Sequence, residues 1–202
     1  MKQRRKTNAR KRAAVLARRS RHIIPAIDIH AHFVPEEYLR LIEAEGEPYG
    51  VRLRPGANGP MIVVGQAVIG PITAHYHNLD VRLKAMDAQR VTVHALSLNP
   101  PMVYWADNAL GLRLARLVND ALAEANRAHP DRFVALATLP LQDPEAAVTE
   151  AERAVTELGC RGIYLGTNVR GKELSDSSFL PVFERIHALG APIFLHPFNV
   201  IG

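Results

Sequence analysis

The stretch FVALATLPLQDPEAAVTEAERAVTELGCRGIYLGT, Phe133–Thr167, reads as a strand, a helix and a second strand. Phe133–Leu141 is apolar and runs into Asp143-Pro144, an N-cap followed by proline at the first helical position. The helix that starts there reaches about Leu158 and stops at Gly159. Gly162–Thr167 then opens a second apolar run. Neither run alternates apolar with polar residues, which is the pattern of strands buried on both faces. Two such strands joined by a helix form the parallel crossover unit, with the helix packed against the sheet.

The alternation extends in both directions. Upstream lie a helix at Leu79–Gln89, with Leu79, Leu83 and Met86 on one face, a strand at Val91–Leu98 (VTVHALSL), and a long helix at Asn108–His129 that ends before Pro130. Downstream lie a helix at Ser178–Leu189, closed by Gly190, and a strand at Pro192–His196 (PIFLH). The first strand is Ile23–Phe33 (IIPAIDIHAHF). A Gly- and Pro-rich stretch, Gly46–Pro71, follows it, and Met61–Ile69 (MIVVGQAVI) is expected to form a hairpin about Gly65-Gln66. The fold class is therefore α/β with a parallel sheet. Its five strands and four intervening helical segments match a small doubly wound sheet or the first five units of a (β/α)8 TIM barrel. No G-x-G-x-x-G follows the first strand, which disfavours a dinucleotide-binding sheet.

Charge divides the chain in two. Ten of the 25 Lys and Arg lie in residues 1–21, which hold no acid, so the remainder carries 15 basic against 20 acidic residues. Residues 1–22 are expected to be a basic disordered extension, and 23–202 the globular, incomplete barrel. The apolar stretch Ala13–Ala17 is too short for a signal peptide and is followed by Arg18 and Arg19. No run approaches the roughly 18 apolar residues of a membrane span. With Cys160 as the one cysteine, no internal disulfide forms, which fits a cytoplasmic location. Nucleic acid is not expected as a partner, although the extension carries the charge for it.

Chemistry concentrates at strand ends. In Asp28-Ile29-His30-Ala31-His32, alternation places residues 28, 30 and 32 on one side of the first strand and Ile27, Ile29 and Ala31 on the other. Two imidazoles at the end of an apolar strand suit a first-row divalent cation, zinc above all. His196 ends the fifth strand, where Pro197 removes the next amide donor. In a barrel, the C-terminal ends of the first and fifth strands open on one mouth, where active sites lie.

These motifs resemble the amidohydrolase superfamily, in the branch that includes aminocarboxymuconate-semialdehyde decarboxylase. The resemblance rests on DIHAHFVP (Asp28–Pro35), DVRLKAMDAQRVTVHALSLNPPMVYW (Asp80–Trp105), DRFVALATLP (Asp131–Pro140), Gly159–Thr167 and Phe194–Pro197. It implies a metal, zinc or alternatively manganese, held by His30, His32 and His196 with a later Asp. A further His that handles protons is implied near the end of a sixth strand. Both later groups would lie beyond Gly202, so no catalytic acid or base is assigned in this sequence, which is read as a truncated, N-terminal part. Two departures bear on the substrate. Phe198 stands where decarboxylases of the branch often carry Trp after His-Pro, and VVGQAV (Val63–Val68) lacks the Arg that grips a substrate carboxylate.

The implied function is that of a metal-dependent carboxy-lyase acting on a small unsaturated or aromatic carboxylic acid. The alternatives are a metal-dependent hydrolase of a lactone, ester or amide, and an inactive truncated paralogue serving as an interaction module. A homo-oligomer is expected. Phe198 and Trp105 are the candidate substrate-binding aromatics. His75 and His77 read as loop histidines, His94 as an inward-facing one, His129 and His187 as surface groups, and Cys160 as an inert buried thiol. Residues 1–21 lack hydrophobic periodicity and carry ten like charges, so they contribute nothing to a core. Their deletion should leave the melting temperature within a few degrees of the parent chain.

Overall fold

Five apolar segments pair side by side in parallel: β1 (Ile27–His32), β5 (Val93–Ser97), β6 (Phe133–Thr138), β7 (Gly162–Gly166) and β10 (Ile193–His196), in that spatial order. The computed structural model describes residues 25–197. The basic extension, Ile23 and Ile24 of the expected first strand, and Phe198 lie outside the described residues. Four of the five expected strands are present with slightly trimmed ends, and the described part of the first begins at Ile27.

The covering helices are α2 (Leu79–Gln89), α3 (Asn108–Ala128), α4 (Pro144–Thr156) and α5 (Leu180–Ala188). Their starts have local causes. Asn78, Asp107 and Asp143 each accept a bond from the amide three residues on, at 2.8–3.1 Å, and so satisfy a donor that the helix itself leaves open. On α3, Leu110, Leu114, Val118 and Leu122 recur every four residues and are buried against the sheet. Alanines 147, 151 and 154 give α4 a narrow buried face that allows close approach.

Four features depart from the expectations. Helix α1 (Glu36–Glu45) was concealed by its charged composition, yet it buries Tyr38, Leu39 and Ile42. The Gly- and Pro-rich stretch holds the expected hairpin, β3 (Met61–Val64) and β4 (Ala67–Ile69), and a further strand, β2 (Val51–Arg54), that pairs with β3. Gly65 sits in the left-handed region (φ 56°) at the turn, which suits its lack of a Cβ. Between β7 and α5, β8 (Asn168–Val169) and β9 (Lys172–Glu173) form a short hairpin. Helix α5 begins at Leu180 rather than Ser178 because Asp176 caps a 3-10 turn at Ser177–Phe179 first.

Polar groups inside the helix layer tie it to the sheet. Asn119 on α3 donates to the Thr138 carbonyl and to Glu150, and accepts from the Thr138 amide, each at 2.8–2.9 Å. Glu150, fully buried, is held by two bonds from Arg153 at 2.8 Å and by Arg116. This network joins α3, α4 and the end of β6 without a free buried charge. Replacing Asn119 with Leu orphans both backbone groups of Thr138 and one oxygen of Glu150. Each buried polar group left unpaired costs about 1–3 kcal/mol. Denaturant unfolding of Asn119→Leu should show a loss of at least that size.

Candidate metal centre

His30 and His32, two apart on β1, converge as strand alternation expects, and the segment that carries them is irregular in its pairing. Asp28 lies opposite His94 on β5, but Ala31 lies opposite Leu96, so β1 advances three positions while β5 advances two. This β-bulge interrupts the regular pairing of residues 27–32. Ile27 and Ile29 are exposed and Ala31 is buried. Asp28 stabilises the bulge, because one of its oxygens accepts the His30 amide at 2.9 Å. Beyond the bulge, the Nε2 atoms of His30 and His32 stand 3.1 Å apart.

His196 joins them from the far edge of the sheet. Its ring centroid lies 5.0 Å from that of His30 and 5.3 Å from that of His32. One nitrogen from each of the three rings falls within 4.8 Å of the others, which makes them the candidate metal cluster among the described residues. The rings are also oriented. His196 Nδ1 lies 2.7 Å from the Pro197 carbonyl, which can only accept, so Nδ1 carries the proton and Nε2 keeps its lone pair. The Ser97 hydroxyl lies 3.3 Å from His32 Nδ1 and, able to donate or accept, holds that edge of the ring so that Nε2 faces the cluster. Lone pairs converging at 3.1 Å repel one another unless a proton or a cation lies between them. The donor set thus fits one divalent cation, for which neutral imidazoles are suitable ligands.

Burial, followed by the neighbouring His30 and His196 and then Arg82, pushes His32 down to about 4. Burial and His30 lower His196 as well. Both rings therefore stay neutral near pH 7, the form in which they can bind a metal.

Several residues that the sequence did not single out surround the cluster. Tyr164 of β7 is 3% exposed, and its ring lies 6.0 Å from His32 and 5.7 Å from His196. Its hydroxyl is buried beside Ser97. Ser97 and Arg82 are buried too. Arg82 is an inward residue of α2, whose apolar face had been drawn through Leu79, Leu83 and Met86 alone. No sequence periodicity marks these positions, since each stands within an ordinary strand or helix pattern.

The other candidates are not among the three clustered rings, although His75 and His94 line one cavity together with His30 and His32. Trp105 donates to the Met102 carbonyl at 3.0 Å and to the Tyr38 hydroxyl at 3.3 Å, and it stacks edge-on to Tyr49 at 5.9 Å. His77 faces Glu36 at 3.6 Å, and His75 lines a cavity of about 320 Å³ beside β1 and α2. His94 faces inward, as expected, against Arg82. Burial pushes the Cys160 thiol up to about 12, which makes it inert.

This arrangement matches known proteins over most of the chain. The family model described as amidohydrolase fits residues 27–200. The chain belongs to the amidohydrolase family. It is 35% identical over 179 residues to a 2-amino-3-carboxymuconate-6-semialdehyde decarboxylase of Dictyostelium discoideum, covering 87% of this chain and 50% of that protein. A gamma-resorcylate decarboxylase of Rhizobium radiobacter is 39% identical over 131 residues, which is 59% of this chain and 39% of the relative. Among solved structures, a dihydroxybenzoic acid decarboxylase from a Polaromonas species, with bound manganese and 2-nitroresorcinol, superposes with a TM-score of 0.68 at 30% identity. It covers 88% of this chain and 50% of that one. The chain spans about half the length of the curated relatives it matches. The amidohydrolase fold identifies the curled parallel sheet as part of a TIM barrel rather than a doubly wound sheet.

The lowered pKa of His32 has a consequence for stability. Below the ordinary value of 6.5, an unfolded His32 takes up a proton that the folded residue refuses until about pH 4. Stability therefore falls as pH drops through this window, and below it His32 adds no further loss. Melting curves of the metal-free protein across the window should show a shallower decline for His32→Asn than for the parent.

Proposed function

We propose that this protein is a metal-dependent carboxy-lyase that releases carbon dioxide from a small aromatic or unsaturated carboxylic acid. The observation that carries this reading is the convergence of His30, His32 and His196 ring nitrogens within 4.8 Å, at the C-terminal ends of two strands. The decarboxylase names of its relatives supply the reaction class. Zinc is the preferred metal because all three donors are imidazoles. Manganese, found in the Polaromonas structure, is the alternative.

A cation held by His30, His32 and His196 supplies Lewis-acid polarisation of a substrate oxygen and a fixed positive charge beside the carboxylate. The chain's own residues do the rest of the positioning. Ser97 fixes the ring of His32 and the Pro197 carbonyl fixes that of His196, so that their Nε2 atoms face one point. Tyr164 walls the cluster on the β7 side and keeps it partly dry. Trp105 and Phe198 are proposed as aromatic contacts for the substrate. Loss of carbon dioxide leaves an electron pair on carbon that must take up a proton, and no described residue is assigned to deliver it. A homo-oligomer in the cytoplasm, with a small carboxylate as its partner, completes the proposal. No described helix is long and apolar enough to cross a membrane.

Two measurements test the reading. The double variant His30→Ala/His32→Ala should lose stoichiometric zinc or manganese while staying folded. Unchanged metal content would remove the basis of the site. For the reaction, carbon dioxide release from 2,6-dihydroxybenzoate and related acids is expected with metal-loaded protein. Turnover of lactones or esters without carbon dioxide would assign a hydrolase instead.

A further inference from the structure

Behind the histidines lies a buried cation with no carboxylate bonded to it. Arg82 is 6% exposed, and burial lowers its pKa to about 10. One guanidinium nitrogen donates to the backbone carbonyl of His32, a second meets His94 Nδ1 at 3.2 Å, and Nε has no partner. A buried charge is costly unless its bonds do something specific. The bond to His94 fixes that ring, because arginine can only donate. His94 Nδ1 must accept, so its proton sits on Nε2, which faces the Asp28 carboxylate at 3.9 Å. The other Asp28 oxygen accepts the His30 amide.

Two bonded segments face each other: the His32 carbonyl, Arg82 and His94 on one side, and Asp28 with the His30 amide on the other, across a 3.9 Å gap in which His94 Nε2 has no hydrogen-bond partner. The two segments hold the backbone of the two histidines on either side of the bulge, while their Nε2 atoms stand 3.1 Å apart. The groups come from three elements, α2, β5 and β1, so together they tie the bulge to its neighbours on both sides.

We propose that Arg82, His94 and Asp28 are positioning residues that lock the bulged His30-x-His32 segment into its metal-binding shape. Asp28 acts as a hydrogen-bond acceptor in this scheme, neither a ligand nor a proton carrier. The inference rests on the metal-site reading above and names the residues that make that site rigid.

The acceptor role separates two substitutions at this half-buried position. Asp28→Asn keeps a carbonyl oxygen for the His30 amide, whereas Asp28→Ala removes it. Zinc affinity, measured by competition with a chromophoric chelator, should fall about 10–100-fold in Asp28→Ala and in Arg82→Met, and stay within about threefold in Asp28→Asn. Metal-free Asp28→Asn should melt with the parent, and Asp28→Ala, which leaves the His30 amide without its acceptor, should melt slightly lower while staying folded. If Asp28→Asn loses as much affinity as Asp28→Ala, the charge of Asp28 is in use and the proposal fails. If Asp28→Ala and Arg82→Met both bind zinc like the parent, the network has no bearing on the site and the proposal fails. Should Arg82→Met not fold, the two Asp28 variants decide the matter. A folded parent that binds neither zinc nor manganese would overturn the metal-site reading, and this inference with it.

Discussion

Parallel pairing of β1 with β5, and onward through β6 and β7 to β10, is what brings His196 to His30 and His32. Parallel strands align their C-terminal ends, so every strand-end residue opens toward the same mouth. The histidines gain their proximity from the sheet and their aim from local hydrogen bonds. The sheet in turn depends on the helices that cover it, because strands apolar on both faces cannot stand in water. The Asn119–Glu150–Arg153 network fastens that cover to the end of β6.

Within this frame the bulge between Asp28 and Ala31 carries the chemistry. A regular strand spaces alternate side chains by two residue rises, about 6–7 Å. Within the irregular segment the two imidazole rings tilt toward each other, so that their Nε2 atoms stand 3.1 Å apart. Such a distortion leaves an amide outside the ladder, and Asp28 takes it. The neutral state of His32 follows from the same crowding, since a buried ring beside two other imidazoles and a guanidinium resists a further positive charge.

Edges of the sheet show a different balance. Ile29 on β1 and Leu195 on β10 are each 56% exposed, on the two outermost strands. These strands carry all three clustered histidines, yet each has one paired neighbour among the described residues. The interior strands β5, β6 and β7 bury nearly all their side chains. The candidate metal ligands thus lie on the least covered strands, and cross-links such as Arg82 to the His32 carbonyl matter most there.

Much of this was legible in the chain. The alternation of apolar runs with capped helical patterns specified the α/β class, and strand-end placement selected His30, His32 and His196, because both signals are local. Asp143-Pro144 announced α4 through cap chemistry that needs no partner outside the segment. Helix α1 was not legible, since three buried residues among charges make a weak periodic signal. Neither were Arg82, Ser97 and Tyr164, whose roles depend on what lies across the sheet. A barrel segment and a doubly wound sheet share one sequence pattern, and only the curl of the assembled sheet distinguishes them. The sequence by itself determined which residues could bind a metal. The tertiary structure decided that they meet, because the parallel register is a property of strand pairing rather than of either strand alone.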